Sequence, residues 1–139
     1  MKFSRFLLFL ASLLIINQGL AESSDDDNKS NNIGPAHYME LKPPFVVNVS
    51  DGERVRHMQI TAQVKLNSAD ISQYVELHNP AIRHAMIMLL SGQPVAELRT
   101  VQGKEKLREQ ALITLQKLLE ENIGAPGIEA VYFTGLIIQ

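Results

Sequence analysis

From Met58 to Leu66, apolar and polar residues alternate at every position. A β-strand turns successive side chains to opposite faces, so Met58, Ile60, Ala62, Val64 and Leu66 share one face. His57, Gln59, Thr61, Gln63 and Lys65 share the other, which is uncharged for most of its length. A strand of this kind belongs to a sheet covered on one side and open to solvent or to a partner on the other. Whatever else the chain forms must supply the cover.

The flanking segments provide candidates. Tyr38 to Val49 reads as an extended stretch, with Phe45-Val46-Val47 as the part most suited to pairing. Pro43 and Pro44 cannot donate to a ladder, so the stretch is kinked or lies at a sheet edge. Asp51-Gly52 marks a turn into the alternating strand. After it, Ile71, Tyr74, Val75 and His78 lie on one helical stripe within Ser68–His78. Asn79 and Pro80 have the character of an N-cap and a first helical residue for a second helix reaching Leu90. That helix is apolar nearly all round, which predicts that it is sandwiched. Ser91-Gly92 stops it, and Pro94 opens a short link.

Thr100 is placed to cap a third, longest helix running to about Asn122, with Leu107, Ala111, Leu115, Leu118 and Leu119 along one side. Gly124 and Pro126 end it. Ile128 to Gln139 closes as a strand, with a bulge expected near Gly135. The order strand, strand, helix, helix, helix, strand predicts an α/β (α+β) domain: a sheet of about three to four strands with helices on one side.

Apolar residues are distributed unevenly along the 139 positions. Residues 1–21 hold 14, residues 22–35 hold only Ile33, and residues 36–139 hold 48. The first segment has Lys2 and Arg5 before an apolar run from Phe6 to Ile16, then Gly19-Leu20-Ala21. This is the pattern of a signal peptide cut between Ala21 and Glu22. The run is about 11 residues where a bilayer needs roughly 20, so an uncleaved anchor is the competing expectation. Residues 22–35 are an acidic tether too poor in apolar residues to order themselves. Asp25-Asp26-Asp27 lacks the spacing of a calcium loop. Residues 36–139 are the folding unit. They carry ten basic and eleven acidic residues, which argues against a nucleic-acid ligand.

Catalytic and metal chemistry find little support. His37, His57, His78 and His84 include no pair at helical ligand spacing, and the chain has no cysteine. There is no Gly-x-Ser-x-Gly, and Lys104 lacks the glycines of a phosphate loop. An enzyme would need a pocket uniting residues such as Arg83, His84 and Glu97. No catalytic residue, metal ligand or cofactor is therefore assigned.

Contact residues are better candidates. Arg83 sits among apolar neighbours, either pairing a carboxylate within the fold or meeting another subunit. Met86 and Met88 belong to the core or to an adaptable docking surface. Lys104, Lys106 and Arg108 cluster where cations oppose the helix dipole, and could meet an acidic partner or anionic lipid heads. Pro43, Pro44, Phe45, Arg83, Lys104 and Arg108 are the candidate interface.

Several segments recur in a known order: Pro43-Pro44-Phe45-Val46-Val47-Asn48, the strand from Met58 to Val64, and His78-Asn79-Pro80-Ala81-Ile82-Arg83. Met88-Leu89-Leu90-Ser91-Gly92-Gln93 and Gly103-Lys104 with Leu107-Arg108 follow. Val131-Tyr132-Phe133-Thr134 and Ile137-Ile138-Gln139 complete the set. In order and spacing, over most of residues 38–139, the chain resembles the flagellar basal body-associated protein FliL family.

The resemblance implies a stomatin- or SPFH-like fold and a non-enzymatic role around the flagellar motor's stator units. Members are expected to form rings that support torque and swarming and influence the direction of rotation during chemotaxis. The implied partners are the stator complex and either further copies of the chain or a membrane-bound paralogue. Family members usually begin with a full membrane helix. The short leader here suggests an exported relative at the periplasmic side of the inner-membrane basal body, touching the membrane only peripherally unless the leader is retained. A periplasmic scaffold or binding module unrelated to flagella is the alternative.

Overall fold

The computed structural model describes residues 35–139. The expected leader, the Ala21–Glu22 cut and all of the tether but Pro35 lie outside the described residues. Four strands and four helices follow in the order β1 (His37–Glu40), β2 (Phe45–Asp51), β3 (Arg54–Leu66), α1 (Ile71–Leu77), α2 (Asn79–Ser91), α3 (Val95–Leu98), α4 (Val101–Ile123) and β4 (Ile128–Ile138). The sheet is antiparallel throughout and the fold is α+β.

β3 is its centre. β4 pairs with it from Met58 to Leu66 along one edge. A strand has only two edges, so β1, opposite residues 63–66, and β2, opposite residues 54–60, share the other in tandem. The stretch expected from Tyr38 to Val49 is thus one outer strand broken in two at Lys42-Pro43-Pro44. Gly52, at φ +67°, makes the two-residue turn between Asp51 and Arg54.

The alternation works as expected. Met58, Ile60, Ala62, Val64 and Leu66 are all buried, while the residues between them are exposed or half-buried. Phe45, Val47 and Val49 from β2 and Ile128 and Val131 from β4 join the same covered face. α2 packs over β2, and α4 over β4 and α2. From α4 come Leu107, Ala111, Leu115 and Leu119; from α2, Ile82, Met86 and Leu90. Burial of this size contributes most of the stabilisation, at about 25 cal/mol per Å² of apolar surface removed from water.

Both ends of α4 follow the sequence. Thr100 Oγ1 accepts from Gly103 N at 2.9 Å, and Gly124 closes the helix in the left-handed region at φ +73°. The expected bulge in β4 is present: Thr61 faces Gly135 and Ala62 faces Phe133, so Thr134 is the extra residue.

Four expectations change. α1 is shorter than Ser68–His78, since Ser68 is a bend and Ala69–Asp70 a turn rather than helix. Asn79 is the first residue of α2 and His78 its N-cap, with His78 itself closing α1 by donating from its backbone N to Tyr74 O. Among the described residues α2 is not sandwiched: its outer side leaves Met88 63% exposed, with no second layer of those residues above the helices. The link after Pro94 contains a helical turn, α3, whose Val95 and Leu98 are buried.

Candidate interaction surface

The kink between β1 and β2 is held by a helix. Arg83 follows the buried Ile82 on α2 and is half-buried, and its Nη1 donates to Pro43 O at 2.6 Å. Its guanidinium lies 4.5 Å from the centre of the Phe45 ring. The pairing is internal, but to a carbonyl and an aromatic ring rather than to a carboxylate. It ties α2 to the broken edge strand and occupies the backbone oxygen at the kink. Phe45, expected among the contact residues, has no exposed surface and belongs to the core, because β2 points it inward with Val47 and Val49. Pro43 is exposed and Pro44 half-buried. At the far end of β2, Ser50 bridges to Pro94, so this edge is engaged at both ends.

The uncovered sheet face carries His57, Gln59, Thr61, Gln63 and Lys65 from β3, as expected. It also carries apolar groups. Tyr38, Val46, Val55 and Ile137 each expose more than half their surface. The Tyr38 and Tyr132 rings approach to 5.9 Å. Lys65 Nζ pairs with Glu129 at 2.6 Å, and that hydrogen bond raises the lysine above its ordinary pKa.

The three cations at the start of α4 part ways. Lys106 reaches Glu97 of α3 at 3.3 Å. Lys104 and Arg108, one helical turn apart, face β4 instead. With Val101, Glu105 and the strand residues Tyr132–Leu136 they line a groove of about 480 Å³. A second hollow of about 380 Å³ is lined by Lys104, Leu136 and Ile138 together with Leu98, Arg56 and Arg99. Arg56 and Arg99 both approach Asp51 Oδ2, at 3.5 and 3.2 Å. Lys104 makes no ion pair among the described residues.

Arg108 Nε donates to both carboxylate oxygens of Glu105 at 2.9 Å, and Nη2 adds a third short bond. These bonds hold Glu105 below its ordinary pKa. The pair's contribution to stability is therefore complete above the ordinary carboxylate value and is lost as pH falls through the lowered one. An NMR pH titration should find Glu105 half-protonated at a lower pH than an unpaired glutamate. Arg108→Ala should return it to the ordinary range. An unchanged midpoint would show that the pair does not persist in solution.

The clustering of Lys104 and Arg108 is legible in the sequence, but the strand they face is not. In the sequence Tyr132, Phe133 and Leu136 carry only the signal of a strand. Glu97, Arg83 and His84 do not unite: Glu97 serves Lys106, Arg83 serves Pro43, and His84 is exposed on α2. Among the described residues no three His, Asp or Glu gather as a metal site, and no helix is long and apolar enough to cross a membrane.

A family model described as flagellar basal body-associated protein FliL matches residues 38–139, which is the whole sheet and every helix but for His37. The chain belongs to the FliL family. Among curated FliL proteins, it is 33% identical over 100 residues to the flagellar protein FliL of Aquifex aeolicus, covering 72% of this chain and 60% of that one. The FliL proteins of Escherichia coli K12 and Shigella flexneri are each 27% identical over 116 residues, covering 82% of this chain and 73% of theirs. The family is described as flagellar basal body-associated, which supports a flagellar role, and the chain spans about 60% of the length of the Aquifex aeolicus relative.

Proposed function

We propose that this FliL domain is exported to the periplasm, freed from its leader between Ala21 and Glu22, and braces the stator units of the flagellar motor without catalysing a reaction. It does so in a ring of its own copies or beside a membrane-bound paralogue. In that position it supports torque and swarming and influences rotational direction during chemotaxis. The observation that carries this reading is the exposed apolar set on the open sheet face, Tyr38, Val46, Val55 and Ile137, in a chain of a basal-body family. A face of that kind is available to a protein partner. The flagellar family favours this reading over a scaffold unrelated to flagella.

A clean deletion should leave filaments assembled while swarming weakens or turning changes, and the intact gene should restore both. Normal swarming and normal swimming in viscous medium in the deletion strain would overturn the stator reading.

A further inference from the structure

β4 has one edge on β3 and another that no strand covers among the described residues. Which of its groups face outward follows from the ladder. His57 and Gln139 exchange both backbone hydrogen bonds, N to O at 3.0 and 2.8 Å, so Gln139 points inward. In an antiparallel pair the inward and outward positions alternate. Counting back, Ile137 points inward and Ile138 and Leu136 outward. Beyond the bulge at Thr134, Phe133 points outward and Tyr132 inward. The bond from Leu41 N to Ala62 O at 2.9 Å agrees, because it turns the backbone of Ala62, the partner of Phe133, away from β4.

Natural sheet edges are usually protected by prolines, charges or a covering element. Residues 130–139 contain no proline and no charge. α4 covers only the start of the strand, where Gln116 Nε2 donates to Ile128 O at 2.7 Å. Further along, the 480 Å³ groove opens between α4 and the edge at Tyr132–Leu136. Its far wall is cationic. Four cations, Arg56, Arg99, Lys104 and Arg108, line the two adjoining hollows; Arg56 and Arg99 share Asp51, Arg108 pairs with Glu105 and also lies near Glu109, and Lys104 makes no ion pair among the described residues. The positive charge left over at Lys104, and at Arg56 and Arg99 that share one carboxylate, stands beside a row of unpaired backbone groups.

We propose that the β4 edge is a peptide-binding site that takes an extended acidic segment as an additional strand. The backbone groups of Phe133, Leu136 and Ile138 pair with the peptide, and its acidic side chains meet Lys104 and Arg108. Strand addition gives affinity through main-chain hydrogen bonds, and alternate side chains give selectivity. A lipid headgroup could use the cations but not the backbone row. The inference stands on the edge and its charges, and does not depend on the stator reading.

The test combines fluorescence anisotropy with amide hydrogen exchange, using the full chain and a labelled, end-capped peptide of alternating valine and glutamate at low salt. Saturable binding is expected. Exchange at Phe133 and Leu136 should slow about tenfold, while Tyr132 and Ile137, already bonded to β3, should not change. A valine–lysine peptide, and a valine–glutamate peptide methylated on alternate backbone nitrogens, should each bind at least about tenfold more weakly. Lys104→Glu replaces an exposed side chain, leaves the core intact, and should weaken the acidic peptide by a similar factor.

No binding at about 1 mM peptide, equal binding of the three peptides, or protection elsewhere in the chain would overturn the proposal. So would displacement of bound peptide by phosphatidylglycerol vesicles that leave Phe133 and Leu136 exchanging freely. Slow exchange at those two amides in a self-associated chain before peptide is added would assign the edge to a second copy instead.

Discussion

Gly103→Ala is expected to destabilise the domain by about 2–3 kcal/mol, against the usual preference of helices for alanine. Taken alone, the helix would gain about 1 kcal/mol from the exchange. Space decides otherwise. A Cβ on Gly103 would lie 2.0 Å from Glu97 O and 2.6 Å from its carbonyl carbon, where real Cβ atoms keep at least 3.0 Å. The obstacle is backbone that cannot easily withdraw. Glu97 O accepts from Thr100 N at 3.0 Å and from Thr100 Oγ1 at 2.8 Å, and Val95 and Leu98 anchor α3 in the core. Relief would break the N-terminal cap of α4 or unseat α3. Denaturant unfolding should show a lower midpoint with an unchanged slope. A variant as stable as the parent would mean that α3 and α4 separate freely, contrary to this packing.

The second large effect is at Phe45. Its ring is fully buried and is one of the largest side chains in the core, so Phe45→Ala should cost about 3–5 kcal/mol. Against a typical total of about 5–15 kcal/mol, that brings the domain near its unfolding limit. Arg83→Ala should cost about 2 kcal/mol through the lost bond to Pro43 O and the lost contact with the ring. The two losses should not add. With Phe45 gone, Arg83 has only the carbonyl left to hold, and the double-mutant cycle should return a coupling of about 1 kcal/mol. Strict additivity would mean that the guanidinium merely passes near the ring. Arg83→Lys should recover little, since an ammonium cannot match the planar group over an aromatic face while bonding a carbonyl.

Local signals in the sequence were reliable where one residue decides one geometry. The alternation through Met58–Leu66 fixed which face of β3 is buried, Thr100 and Gly124 bounded α4, and the glycine near the end of β4 marked the bulge at Thr134. What escaped was set by distance in the chain. Arg83 meets Pro43 across 40 positions, and no local pattern identifies a carbonyl as its partner. The composition of α2 is apolar on every side, but burial needs a neighbour, and among the described residues its outer side, at Met88, has none. α3 was too short for periodicity to reveal. Lys104 and Arg108 were visible as a cluster, yet the groove exists only once α4 lies beside β4, and the exposed edge only once β3 has taken the other side of that strand.

The pairing of β3 with β4 also governs the order in which the domain can form. β1, β2 and β3 are consecutive and can assemble as soon as Leu66 is available. The partner for the other edge of β3 arrives about 60 residues later, from Ile128 onward, after all four helices. During synthesis the chain therefore passes through a stage in which the central strand has one bare edge and the helices have no finished sheet to rest on. Long-range closure of that kind is slow and leaves strand edges open to misassociation. The last turn of assembly, more than any single contact, is where this domain most needs protection from its neighbours.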